Sequence, residues 1–161
     1  MLSAPKDDYT KSLWAVRSFR KPEKARPAAG SSEVPVVSVD GVDASYGKSM
    51  KVLHDVSFDI YRGMTVAVVG ESGSGKSTTA RCITGLLPPS NGAIRFNGEE
   101  LPSSYKQRST DQLRQAQMIY QMADTALNPR IRLCDIIGRP AQFYSGLNGA
   151  ALKNRVDELL D

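Results

Sequence analysis

Histidine and cysteine are almost missing from this 161-residue chain, and their scarcity removes most metal and redox chemistry at the outset. His54 is the only histidine, and Cys82 and Cys134 are the only cysteines. The two cysteines lie far apart in sequence, and neither has a His or Cys neighbour at metal-ligand spacing, which excludes a zinc site built in the usual way. Both read as reduced packing thiols, and His54 as a surface residue. Long hydrophobic runs are missing too: the longest is Val66-Ala67-Val68-Val69, against the roughly 20 residues that a membrane-spanning helix needs. The opening Met1-Leu2-Ser3-Ala4-Pro5-Lys6-Asp7-Asp8 places acids where a secretory leader would carry its apolar core, so the expectation is a cytoplasmic chain.

What is there fits one domain of ordinary size, with 40% hydrophobic and 24% charged residues. The net charge of +4 is local: Arg17, Arg20, Lys21, Lys24 and Arg26, set against Glu23, account for all of it. Such a run could touch anionic lipid or nucleic acid, but a short solvated linker is its commoner use. Upstream, Tyr9, Leu13, Val16 and Phe19 recur at one face of a short amphipathic helix over residues 5–19. Pro22, Pro27 and Ser31-Ser32 then interrupt regular structure, which makes 20–34 a linker. Beyond Pro35 the β-branched stretch Val36 to Val42 predicts a strand, and Val52 to Ile60 a second one after the Tyr46-Gly47 turn region.

Thr65 to Val69 is short, mostly apolar and ends at Gly70, as expected of a strand buried on both faces of a mostly parallel sheet. Ser77 to Thr84 predicts a helix stopped by Gly85 and followed by Pro88-Pro89. Ala93 to Phe96 predicts a strand entering a type I′ turn at Asn97-Gly98, and Met118-Ile119-Tyr120 another strand after a polar helix or loop from Arg108 to Gln117. Two helical stretches, Leu133 to Gly138 and Ala150 to Leu160, complete the reading. The chain contains no internal repeat.

Between the predicted buried strand and the helix, Gly70-Glu71-Ser72-Gly73-Ser74-Gly75-Lys76-Ser77-Thr78 satisfies G-x-x-x-x-G-K-[ST]. Chance alone produces the four fixed positions in a chain of this length on the order of once in a few hundred sequences. The glycines let the loop curl so that backbone N–H groups face phosphate oxygens, and the helix N-terminus adds partial positive charge. A side chain at Gly75 is expected to fill the space that a phosphate needs. Lys76 supplies a mobile charge for the β- and γ-phosphates and the Ser77 hydroxyl a ligand for Mg²⁺, with Thr78 placed for the α- or β-phosphate. The loop predicts ATP and Mg²⁺ as ligands, without deciding among kinases, GTPases and transport ATPases.

Further residues narrow this. Val42-Asp43-Ala44-Ser45-Tyr46-Gly47, Leu53-His54-Asp55-Val56-Ser57-Phe58, Gly63, the P-loop, Gly85-Leu86-Leu87-Pro88 and Gly92-Ala93-Ile94 resemble the first half of an ABC transporter nucleotide-binding domain. Asn128-Pro129-Arg130 after Gln121 is similar to the ATPase subunits of dipeptide, oligopeptide and nickel importers. The resemblance covers about residues 35–161 and implies an α/β P-loop NTPase fold, incomplete: an N-terminal β-subdomain, the start of the P-loop core and the beginning of a helical subdomain. It also implies site residues. Tyr46, by itself a strand-end tyrosine packing on the sheet, matches the aromatic residue that stacks on adenine. Gly70, Ser72, Gly73, Ser74, Gly75, Lys76, Ser77 and Thr78 match the nucleotide cradle, Lys76 with a catalytic part. Gln121 matches the glutamine that reaches Mg²⁺ and the attacking water and senses the transmembrane partner. Here Met122-Ala123 stand before Asp124, where many relatives have Asp-Pro directly after that glutamine.

The Ala4 to Leu13 segment resembles the carboxyl end of the same subunits. On that likeness 1–19 is the tail of a preceding nucleotide-binding domain, 20–34 a linker and 35–161 the N-terminal half of a second domain, from a tandem-fused parent. The implied partners are a second nucleotide-binding domain in a head-to-tail dimer, transmembrane permease subunits and, indirectly, a periplasmic or extracellular solute-binding protein, at the cytoplasmic face of the bacterial inner membrane. No nucleic acid is expected, although a soluble ABC ATPase acting on nucleic acid is a competing reading for the basic run. The sequence ends before any signature Leu-Ser-Gly-Gly-Gln, Walker B acid with its catalytic glutamate, or switch histidine. The expectation is therefore a chain that does not turn over ATP by itself and is poorly soluble alone. A nucleotide-binding fragment without motor activity is the alternative, and the transported substrate is not encoded in these residues.

Overall fold

The structure, a computed structural model, describes residues 33–47, 50–122 and 127–161. The expected helix over 5–19, the tail assignment for 1–19 and all but the last residues of the 20–34 linker lie outside these. The first strand, β1 (Val37–Tyr46), forms an antiparallel hairpin with β2 (Met50–Ile60). On its other edge β1 pairs antiparallel with β3 (Asn91–Phe96), which turns into the short β4 (Glu99–Glu100). The spatial order is β2-β1-β3-β4. Asn97 and Gly98 both take positive φ, 50° and 87°, as the expected type I′ turn demands.

β1 runs four residues beyond the predicted Val42 because of a bulge. Val39, Val42 and Ala44 all point into the core although Val39 and Val42 are three apart. A strand alternates with period two, so an extra residue must be absorbed to keep them on one face. Register shifts lie at that place, and Gly41 takes φ 58° there. The outer face of the hairpin is tied by Lys51–Asp43 at 2.9 Å, and Asp43 also accepts the Asp55 backbone N–H at 2.9 Å. The Lys51 hydrogen bond, then that N–H, hold the Asp43 carboxyl below its ordinary pKa.

Helix α1 (Lys76–Ile83) rests on the sheet through Cys82, which is 1% exposed and clusters with Val39, Val42, Ala44, Leu53, Ile94 and Leu101. Burial pushes the Cys82 thiol pKa up, as befits an inert packing thiol. Cys134, read from sequence as a second packing thiol, is exposed instead: it stands in the first turn of a helix whose one buried residue is Gly138. His54 is exposed, as expected.

After β4 the chain makes a 3-10 turn at Tyr105–Gln107 and enters α2 (Thr110–Gln115), begun by a complete capping box between Ser109 and Gln112. The last two helices, α3 (Leu133–Ser145) and α4 (Gly149–Leu160), pack on each other. Gly138 lies against Val156 and Leu152, and a Cβ there would stand 3.4 Å from Val156 Cγ2. α3 continues seven residues past the predicted Gly138, carrying Pro140 within it.

Two sequence expectations fail. Thr65–Val69 and Met118–Tyr120 form no strands, and Val69 and Ile119 are 87% and 95% exposed. Extended backbone becomes a strand only when a neighbour takes up its N–H and C=O groups. Among the described residues no strand lies against either segment. All sheet pairing described is antiparallel, and the parallel layer expected from the apolar run is not formed.

Candidate nucleotide-binding site

Gly70 to Gly75 forms a tight loop, closed by a Ser74 N–H to Glu71 C=O bond of 3.2 Å, that feeds directly into α1. Gly75 is the N-cap with φ 95°, a left-handed conformation that suits glycine, and no side chain caps the helix. The first N–H groups of an α-helix have no intrahelical acceptor, so those of Lys76, Ser77 and Thr78 remain open to a ligand. Glycine at position 75 meets a demand of the fold that the sequence reading did not include. A Cβ there would meet Leu53 Cδ2 at 2.7 Å and face Val52 of β2. Gly75 lets the loop lie down on the sheet, whereas a Cβ at Gly73 would meet nothing within 4 Å.

Lys76 folds back across the loop, donating to the carbonyls of Gly70 at 2.9 Å and Glu71 at 2.6 Å, with Ser74 Oγ at 3.4 Å. The ammonium is thereby held at the mouth of the loop by neutral acceptors, which a phosphate oxygen can replace with a stronger charge-assisted bond. Ser77 is exposed, and Thr78 is buried one residue further on. Lys76, Ser77 and Gln121 line one cavity of about 540 Å³. Its remaining wall is largely apolar, from Phe58, Ile60, Val66, Val68, Ile83 and Met118 to Tyr120, with Thr79 and Arg81 also lining it. Gln121 is thus brought to the P-loop from 45 residues downstream. Ala123 and Asp124, which complete the unusual sequence after it, lie outside the described residues.

Tyr46 does not line that cavity. It stands at the end of β1, 38% exposed, with its hydroxyl 3.5 Å from Thr78 Oγ1 and accepting from Arg81 NH1 at 2.8 Å. Thr78 and Arg81 together lower the phenol pKa; by distance the Arg81 bond is the stronger of the two. Gln121 thus shares a cavity with Lys76 and Ser77, whereas Tyr46 stands against Thr78 and Arg81 of α1. Sequence reasoning missed Arg81 and Leu53. The spacing of Thr78 and Arg81, three apart on one helix face, was the available signal for Arg81. Nothing local pointed to Leu53. Among the described residues no group of three His, Cys, Asp or Glu could hold a metal ion.

The profile of the ABC transporter family matches residues 53–161, more than half of the sequence. The chain belongs to that family. Curated relatives agree: it is 39% identical over 114 residues to the oligopeptide transport ATP-binding protein OppF of Haemophilus influenzae, covering 70% of this chain and 34% of that one. It is 40% identical over 119 residues to the nickel import ATP-binding protein NikE of Brucella abortus, covering 74% of this chain and 44% of that one. Among solved structures, one described as an ATP binding subunit of an ABC transporter superposes with a TM-score of 0.54 at 31% identity, covering 78% of this chain and 49% of that chain. The chain spans between a third and a half of the length of the curated ABC transporter relatives it matches. The described residues form part of the ABC-type nucleotide-binding fold, with its antiparallel sheet and helices. No helix among them is long and apolar enough to cross a membrane.

Proposed function

We propose that this ABC transporter chain binds Mg-ATP at the Gly70–Thr78 loop as part of the energy-coupling subunit of an importer for peptides or related small solutes. The observation that carries the reading is the uncapped start of α1, where Lys76 and Ser77 share a cavity with Gln121. In this reading the open N–H groups of the loop and first turn take the phosphate oxygens. Lys76 exchanges its two carbonyl acceptors for the β- and γ-phosphates, and Thr78 approaches the α- or β-phosphate. Ser77 and Gln121 are the residues that would hold Mg²⁺, which would neutralise charge on the phosphates when bound. Gln121 also orients the attacking water. Tyr46 supplies the face on which adenine stacks.

The same reading has the chain work with a second nucleotide-binding domain, opposed head to tail, and with membrane permease subunits, peripherally at the cytoplasmic face of the inner membrane. The names of the curated relatives support the solute class. Within the 161 residues no signature sequence or Walker B glutamate accompanies the P-loop, which favours nucleotide binding without turnover when the chain acts alone.

The test is titration of a fluorescent ATP analogue with Mg²⁺ into the full chain and its Lys76→Ala variant, with phosphate release followed in parallel. Saturable binding by the wild type, weakened at least about tenfold in the variant as expected for the loss of a charged hydrogen bond, with no steady turnover, is the expected result. Absence of binding in a folded sample, or binding indifferent to Lys76, refutes the site. Steady Lys76-dependent hydrolysis refutes the claim that the chain alone is inactive.

A further inference from the structure

Tyr46 occupies a poor position for a precise contact surface. It is the last residue of β1, paired with Met50 across the hairpin tip, and Gly47 follows at φ 66°. A side chain at a strand end, more than a third exposed, has several staggered χ1 wells open to it. One contact removes that freedom. Arg81 NH1 donates to the phenol oxygen at 2.8 Å across 35 residues of sequence. A guanidinium can only donate, so the phenol oxygen is the acceptor and its proton is free for Thr78 Oγ1, 3.5 Å away. Thr78 and Arg81 stand three residues apart on α1, so both reach the same side of the helix. The helix that begins at the phosphate loop is therefore the element that aims the aromatic ring. The helix dipole explains a basic residue in the last turn of α1; it does not explain why that residue gives a 2.8 Å hydrogen bond to a tyrosine of another element.

We infer that Arg81 is a positioning residue for base recognition, holding Tyr46 in the orientation that receives the adenine ring and tying that orientation to the phosphate loop through α1. The inference rests on the nucleotide reading given above and adds a specificity role to a residue outside the P-loop motif. Its magnitude follows from population arithmetic. If release of the phenol lets the ring divide its time among three wells, the competent fraction falls to about a third and apparent affinity drops about threefold, more if the open wells are preferred. The weakening transmitted through Tyr46 is about three- to tenfold, and only for ligands that carry a base.

The experiment compares Mg-ATP with Mg-tripolyphosphate, which keeps the phosphates and lacks the base, by isothermal titration into the full chain. Wild type, Arg81→Ala, Arg81→Lys, Tyr46→Phe and Lys76→Ala are run side by side, with thermal unfolding as a check on folding. Arg81→Ala and Tyr46→Phe should each lose about three- to tenfold for ATP; Tyr46→Phe should be unchanged for tripolyphosphate, and Arg81→Ala, since Arg81 also lines the cavity of Lys76, should lose clearly less for tripolyphosphate than for ATP. Arg81→Lys, which keeps a donor, should recover part of the ATP affinity. Equal affinity of Arg81→Ala and wild type for ATP, a parallel loss for both ligands, or tighter ATP binding by Tyr46→Phe overturns the inference while leaving the nucleotide site intact. Failure of the wild type to bind either ligand in a Lys76-dependent way overturns both.

Discussion

Gly75 shows how one residue can serve two demands. Its left-handed φ of 95° starts α1 without a side-chain cap, and its missing Cβ lets Leu53, itself buried, close over the loop. Gly75→Ala meets both obstacles, strain at positive φ and a 2.7 Å overlap with a core leucine. The expected cost is about 2–3 kcal/mol of folding stability, read from the midpoint of urea denaturation, together with loss of ATP-analogue binding. Because the overlap is with Leu53 Cδ2, the double variant Gly75→Ala/Leu53→Val should lose less than the sum of the single variants. Strict additivity would show that strain alone, and not the contact, sets the cost. At this scale the Gly70–Gly75 loop and the helix that follows it were legible in the sequence because both depend on neighbours in the chain. The wall formed by Leu53 and the hydrogen bond from Arg81 to Tyr46 were not, since both are contacts between distant segments.

Among elements, α1 is gripped at its far end by a buried arginine. Arg108 is 6% exposed; its NH1 donates to the Ile83 carbonyl at 2.7 Å and its Nε to the Pro102 carbonyl at 3.0 Å. Burial lowers the Arg108 pKa, although an arginine stays protonated at any ordinary pH. Its NH2 has no partner among the described residues, and the carbonyl end of α1 offers the compensating negative potential. Replacement by methionine fills similar volume but leaves the Ile83 and Pro102 carbonyls without this donor, at an expected cost of about 2–4 kcal/mol. A lowered denaturation midpoint with an unchanged slope would support this. A variant as stable as wild type would show that water takes over both carbonyls.

Over the whole molecule the antiparallel sheet, with α1 on it, buries a continuous core, while Val66, Val68, Val69, Ile119, Tyr120 and Met122 stay exposed. An apolar face of this kind favours association. The chain should bind a hydrophobic dye and self-associate with rising concentration. Val69→Lys with Ile119→Lys should reduce both without lowering the unfolding temperature, because neither side chain is packed; a monomer indifferent to these changes would contradict the reading. The same face explains the two strands read from sequence and absent from the fold. Val66–Val69 and Met118–Tyr120 have strand-like composition, but a ladder needs a partner, and composition records only the preference. The β1–β2 hairpin, the Asn97-Gly98 turn, the Gly70–Gly75 loop and the helix after it were determined by sequence alone, since each depends on local conformational preference and on residues adjacent in the chain. Which segments pair, where Gln121 and Tyr46 stand about α1, and what Gly75 and Arg81 touch were decided only in the tertiary structure, because those are contacts between residues far apart in sequence whose geometry is set by how the sheet and α1 pack.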